Sequence, residues 1–310
     1  MKKDILSRHQ KLSIHKTVLT WFTYNQKKLP WRSATPPDPY IVLLSEVMLQ
    51  QTQTSRIAEK LPAFLEQFPT LEALAQATNK EIIIAWQGMG YNNRALRLRD
   101  CAKTIVDHYY GIIPDDIDIL RTLPGIGEYT SSAIASFAFS QNVPVVDVNI
   151  RRIFSRLLRK VANNHDMLSE KESWEIAGIL LPKNHSNLWH QALMDIGSLF
   201  CTSRSPRCHD CPISSHCQSA FAVIDGEKTP KKEPTHRAIP HRIWRGKIIE
   251  LLRQSNHHSE NANYILHALF QENISTLDSD FLDYILKKLE SNNLIELQTI
   301  NNTIIVSLKE

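Results

Sequence analysis

LPGIGEYTSSAIASFAF, running from Leu123 to Phe139, is the stretch on which the fold turns. It reads as two helices joined through Pro-Gly-Ile-Gly. Gly125 and Gly127 permit positive φ and leave the backbone bare at the turn. Amides opening the second helix can then meet a phosphate oxygen. The expected motif is a helix-hairpin-helix that grips a DNA backbone without reading its sequence. An ordinary glycine turn between two helices is the alternative that this stretch leaves open.

Outward from the turn, residues 13–220 read as one helix after another. Apolar residues recur at spacings of three and four in YIVLLSEVMLQQTQTSRIAEKLPAFLEQF and in TLEALAQATNKEIIIAWQGMG. Prolines and the Gly88–Gly90 pair supply the breaks, and only the short NVPVVDVNI interrupts the helical pattern. The expected class is all-α over residues 1–220. Residues 221–240, with three prolines and many charges, read as a linker. Beyond it, three amphipathic segments precede LIELQTI and TIIVSL, which flank Asn301-Asn302, a pair suited to a tight hairpin turn. Helix, helix, helix, hairpin is the order of a small α+β winged-helix-like unit over 241–310.

The chain has 310 residues, 42% hydrophobic and 22% charged, enough for two or three packed units. Nine glycines disfavour a Gly-rich nucleotide fold. No apolar run reaches membrane-spanning length and the basic start has no apolar core segment, so neither a span nor a signal peptide is expected. Net charge is only +4, but Lys228–Arg253 carries net +6, leaving about −2 elsewhere. Such a basic stretch suits a polyanion, although solvated linkers are often basic too.

Cys201, Cys208, Cys211 and Cys217 are spaced Cys-x6-Cys-x2-Cys-x5-Cys in CTSRSPRCHDCPISSHC. Short loops wrap four thiolates round one centre at little entropic cost. Disulfides are disfavoured without a secretory signal, and clustered thiols suit a reducing cytoplasm. Zinc fits the ligand number but usually shows two Cys-x2-4-Cys pairs. A [4Fe-4S] cluster tolerates uneven spacing. On chemistry alone, zinc and iron–sulfur stay balanced. The fifth cysteine, Cys101, lies in a helical pattern and reads as a small buried residue.

Twenty residues after Gly127, Asp147 interrupts the apolar run VPVVDV and precedes a basic helix. A carboxylate there is an N-cap or a catalytic acid. Glu46 is likewise set in the apolar stretch IVLLSEVML, where burial would keep it protonated.

Hairpin, Asp and four cysteines in this order resemble the endonuclease III superfamily of base-excision DNA glycosylases. Within it, LPWR (Leu29–Arg32), SEVMLQQTQ (Ser45–Gln53), QGMGY (Gln87–Tyr91), LPGIGEYT and MDIGSLFC (Met194–Cys201) are similar to the A/G-specific adenine glycosylases, the MutY group. The resemblance spans about residues 15–220. It implies a two-lobed helical fold and a [4Fe-4S] cluster on Cys201, Cys208, Cys211 and Cys217. It makes Glu46 the acid that protonates adenine N7 and later activates water. Asp147 would stabilise, or briefly bond to, the sugar cation, with Tyr129 and Asn149 hydrogen-bonding in the same site. Leu49, Gln51 and Tyr91 match residues that wedge into the duplex, and Arg32, Thr52, Gly125 and Gly127 join them as DNA-binding residues. Lyase-capable relatives carry a lysine where this chain has Tyr129, which implies a monofunctional enzyme.

The chain departs from the adenine group in three places. Val148-Asn149 follows Asp147 where Gly-Asn is usual, Asn92-Asn93 follow Tyr91, and the winged-helix-like unit stands where a Nudix-like domain is usual. The expected partner is double-stranded DNA containing a mismatch, met by a monomer in the cytoplasm, nucleoid-associated in a prokaryote. Two alternatives are a thymine/uracil mismatch glycosylase and a non-enzymatic iron–sulfur DNA-binding regulator. The Glu46–Asp147 pair argues against the second, because a pure binder needs neither.

Overall fold

The computed structural model describes residues 5–33, 36–161, 166–222, 233–271 and 274–310. The helices in chain order are α1 (Arg8–Asn25), α2 (Pro39–Leu49), α3 (Thr54–Gln67), α4 (Leu71–Gln76), α5 (Asn79–Ala85), α6 (Asn93–Tyr109), α7 (Ile117–Thr122), α8 (Glu128–Phe137), α9 (Val148–Leu158), α10 (Glu170–Ile179), α11 (Ser186–Leu199), α12 (His241–Gln254), α13 (Ala262–Phe270) and α14 (Thr276–Ser291). Their starts follow local chemistry. Ser7, Thr78, Ser169 and Ser275 each form a capping box with Gln10, Glu81, Glu172 and Asp278. No helix among the described residues is long and apolar enough to cross a membrane.

The chain divides into two compact units. One holds Met1–Glu46, Pro114–Thr122 and Ile126–Thr229; the other holds Val47–Ile113, Leu123–Gly125 and Pro230–Glu310. In the first, Ile14, Val18 and Phe22 of α1 pack with Ile150, Ile153, Phe154 and Leu157 of α9 and with Trp189, Leu193 and Ile196 of α11. The residues of α8 from Thr130 to Phe137 are all buried. A helix buried on every side needs small residues where its neighbours crowd it, and Ser131, Ser132, Ala133, Ala135 and Ser136 provide them. Its serines stay satisfied: Ser136 Oγ lies 2.8 Å from Ser186 Oγ, whose own hydroxyl donates to the Val143 carbonyl at 2.6 Å.

In the second unit, α3 to α6 pack around Trp86, which is fully buried against Phe64. The C-terminal residues belong to the same unit. There α12, β3 (Ser259–Asn261), α13, α14, β4 (Ile295–Ile300) and β5 (Thr303–Leu308) follow one another, after a two-stranded ribbon of β1 (Thr235–His236) and β2 (Ile239–Pro240). The sheet order is β3-β5-β4, antiparallel throughout. Asn301 and Asn302 turn the β4–β5 hairpin at φ 49° and 60°, as their side-chain chemistry leads one to expect. This is the winged-helix order of elements. The strand β3 was not expected, because Ser-Glu-Asn is polar and three residues show no alternation. Pairing with β5 alone makes it a strand. Of the linker expected over 221–240, residues 223–232 lie outside the described residues. Its last part is anchored: Asp278, 1% exposed, accepts hydrogen bonds from Arg237 at 2.7 and 2.9 Å and pairs with His236 Nε2 at 2.6 Å.

Candidate active site

Glu46 sits near the end of α2, a helix whose residues from Val42 to Met48 are all buried. An apolar helix buried on all sides carries its one carboxyl inward, and Glu46 is 4% exposed. Tyr129, in the first turn of α8, donates its hydroxyl to Glu46 Oε2 at 2.8 Å. Burial pushes the Glu46 carboxyl up to about 7; the Tyr129 hydrogen bond opposes that rise, the Asp147 charge adds to it, and Arg32 lowers it. Burial also pushes the Tyr129 phenol well above its ordinary value, so it stays a neutral donor.

Asp147 takes the N-cap role that its sequence position allowed. It caps α9, with Oδ1 accepting from the Ile150 amide at 2.7 Å, and Oδ2 accepts from Asn149 Nδ2 at 2.7 Å. It also faces Glu46 closely enough for its charge to act there. Burial raises its carboxyl, while the Ile150 and Asn149 bonds and Arg152 pull it back. Asn149 in turn accepts from Arg152 Nη2 at 2.7 Å. The close approach of Asn149 requires Gly197: a Cβ there would stand 2.7 Å from Asn149 Cβ.

Arg32 is not a free cation. Both its terminal nitrogens donate to Asp195, at 2.8 and 3.2 Å, and its guanidinium lies over the Phe22 ring. Its charge supports the Glu46 pocket from within the fold. Thr52 is similarly committed, accepting from Arg94 Nη2 at 2.9 Å and donating to the Met89 carbonyl at 3.2 Å. At the hairpin, only Gly125 needs glycine for its backbone, at φ +79° with Arg97 Cβ 3.1 Å from where a Cβ would stand. Gly127 is extended, correcting the expectation of positive φ at both glycines; it caps α8 without a side chain and leaves the first amides of that helix open.

Leu49 ends α2 half-buried, whereas Gln51 and Tyr91 are exposed and hold left-handed backbone at φ 58° and 47°. Strain at non-glycine residues persists only where surroundings impose it. Here they do. Arg94, buried at the start of α6, donates to the Val47, Met48, Met89 and Gly90 carbonyls at 2.9 to 3.2 Å. It thereby ties the end of α2 to the Gly88–Tyr91 turn. Sequence reading passed over Arg94, because one arginine in NNRALRLRD looks like any solvated helix cation.

The four clustered cysteines form no disulfide. Among the described residues no three His, Cys, Asp or Glu side chains converge closely enough for a single ion; the four cysteines line a cavity instead, with Ile153, Leu157, Phe200 and Ile213. Arg156 lies against it, with Nη1 3.3 Å from Cys201 Sγ and hydrogen bonds to the Thr202 and Ser203 carbonyls. Four thiols, an apolar lining and one adjacent cation fit a thiolate-bound iron–sulfur cluster, whose iron displaces the thiol protons. Without iron, burial holds Cys211 and Cys217 up at about 11. Arg152 braces this loop on α9, donating to the Cys201 and Gly197 carbonyls at 2.6 and 2.9 Å.

Comparison with known proteins agrees with this chemistry. The profile of the HhH-GPD superfamily base excision DNA repair proteins matches residues 44–178, and that of the iron-sulfur binding domain of endonuclease III matches residues 201–217. The cofactor is a [4Fe-4S] cluster, and the matched segment contains the four clustered cysteines. The chain is 37% identical over 238 residues to an adenine DNA glycosylase of Mycolicibacterium smegmatis, covering 77% of this chain and 80% of that one. An adenine DNA glycosylase of Mycobacterium tuberculosis is 34% identical over 236 residues, covering 76% and 77%. Among solved structures, a thermostable thymine-DNA glycosylase superposes with a TM-score of 0.62 at 26% identity, covering 68% of this chain and 97% of that one. An endonuclease III–DNA complex superposes at 0.59 with 22% identity, covering 69% and 97%, a likeness of fold. A buried glutamate before a hairpin, an aspartate after it and a cluster loop therefore stand here in a known order, and the chain belongs to the adenine DNA glycosylases of the helix-hairpin-helix base-excision superfamily.

Proposed function

We propose that Glu46 and Asp147 release adenine mispaired with guanine or 8-oxoguanine from double-stranded DNA. The observation that carries this reading is the buried Glu46 carboxyl, pushed up to about 7 and hydrogen-bonded by Tyr129, with Asp147 in the same compact unit. A carboxyl that titrates near neutrality can both give and take a proton. Protonated Glu46 delivers its proton to adenine N7. The C1′–N9 bond then breaks, and its electron pair leaves with the base. Positive charge develops on the sugar, where the Asp147 carboxylate stabilises it. Water adds to C1′ and its proton passes to Glu46, restoring the acid. The products are free adenine and an abasic site. Tyr129 offers no amine for an imine, which supports hydrolysis without strand cleavage.

Exposed Gln51 and Tyr91, with Leu49, would occupy the space that the extruded base vacates, recovering part of the unstacking cost. The protein would work as a monomer, and its five cysteines, none joined in a disulfide, suit a reducing, cytoplasmic compartment beside the DNA. Likeness to a thymine-DNA glycosylase supports a second reading, excision of thymine or uracil from mismatches. Single-turnover base release from duplexes carrying A:8-oxoG, A:G, T:G and U:G decides between them. Release of adenine alone is expected; release confined to T:G and U:G would overturn the assignment.

A further inference from the structure

Within the second compact unit lies a groove of about 940 Å³, open to solvent. One wall is the Gln50–Gln53 segment and the Gly88–Asn93 turn, which carry the exposed Gln51 and Tyr91; the other is α12 of the winged-helix-like unit. Arg56 and Arg97 line the first wall, and Arg242, Arg245 and Lys247 the second; of these, Arg56 donates to the Gly88 carbonyl and Arg242 is paired with Glu233. Arg94 and Arg253 also reach the groove, but they are spent on backbone carbonyls. The lining holds a single carboxylate, Glu250, and that group is bound by Gln87 and Arg253.

We infer that this groove is a second DNA-backbone site, in which the C-terminal unit clamps phosphates of the duplex through Arg245 and Lys247 of α12. The inference rests on DNA being the substrate and goes beyond the chemistry at Glu46. Three observations carry it. Cations without a carboxylate partner face the groove from both walls, Arg97 from one and Arg245 and Lys247 from the other, and its lining holds no free carboxylate. Arg245 makes no hydrogen bond or ion pair among the described residues, and Lys247 contacts only the Trp244 ring, 4.6 Å away. The α12 wall is also rigidly placed. Arg253 donates to the Ile83 carbonyl at 2.8 and 3.0 Å and to Asn92 Oδ1 at 3.0 Å, and Gln87 donates to Glu250. These bonds latch α12 to the turn that bears Tyr91. A clamp on the wedge-bearing turn would hold the backbone where a base leaves the stack.

The test uses the full-length, cluster-loaded protein with Arg245→Gln and Lys247→Gln together. Glutamine keeps part of each aliphatic stem, and circular dichroism checks the fold. Affinity is measured between 50 and 200 mM salt by fluorescence anisotropy, on a fully paired duplex and on one with A:8-oxoG. Losing two phosphate contacts should flatten the slope of log K against log salt by about 1.8, which shrinks the wild-type advantage about twelvefold over that range. Both duplexes should weaken alike. Lys287→Gln with Lys288→Gln removes the same charge from the same unit outside the groove and should leave the slope unaltered. An unchanged slope in the α12 variant, a loss confined to the mismatched duplex, or an equal loss in the Lys287/Lys288 variant would each overturn the inference. Adenine release by the wild-type protein tests the catalytic reading separately.

Discussion

Replacing Glu46 by glutamine should make the protein more stable above neutral pH while removing its activity. The native carboxyl holds its proton up to about pH 7, against 4.5 in an unfolded chain. The native state therefore binds the proton more tightly, and stability falls as pH rises from about 4.5 to about 7. At 1.36 kcal/mol per pKa unit, the penalty grows by about 2 kcal/mol between pH 5.5 and pH 8. Glutamine is nearly isosteric, still accepts from Tyr129 and does not titrate. The wild-type and variant stabilities should thus diverge by about 2 kcal/mol over that interval, with the variant ahead at pH 8. Cofactor-bearing proteins rarely unfold reversibly. Native-state hydrogen exchange of the α2 amides is the suitable assay, since it reads local opening. In single-turnover assays, wild-type base release should fall about tenfold per pH unit above pH 7, as the acid form is lost. Parallel stability profiles for the two proteins, or base release by Glu46→Gln at the wild-type rate, would refute the buried-acid argument.

Three further outcomes are expected. Asp147→Asn should lower single-turnover base release by about 10²- to 10³-fold, the scale seen for removing one transition-state electrostatic contact, with duplex affinity changed little; a rate within threefold of wild type would remove Asp147 from the chemistry. The abasic product should stay uncut until alkali is added, and borohydride should trap no protein–DNA adduct, whereas Tyr129→Lys should introduce trapping because it supplies an amine beside C1′. Purified protein should be brown with broad absorbance near ~400 nm, and Cys208→Ser should abolish both colour and iron content; stoichiometric zinc without iron would contradict the cluster assignment.

Much of this protein was legible along the chain. Helical spacing, the Pro-Gly-Ile-Gly turn and the Asn301-Asn302 hairpin are local signals, and each produced the element that local physics favours. The cysteine spacing and the isolated carboxyls at Glu46 and Asp147 were visible for the same reason: chemistry-bearing residues stand out against apolar neighbours. What the linear order could not contain is partnership between distant residues. Whether Arg32 serves DNA or Asp195 depends on a residue 163 positions away. Arg94 became the tie between α2 and the Tyr91 turn only once five acceptors were folded around it. The Ser259–Asn261 strand exists because β5 offers it hydrogen bonds, and the cationic groove exists because α12 lies across from residues 50–53 and 88–93. Backbone propensity acts over a few residues and is written in the sequence. Ion pairing, sheet pairing and groove electrostatics act through space, and only the folded chain decides which charges meet.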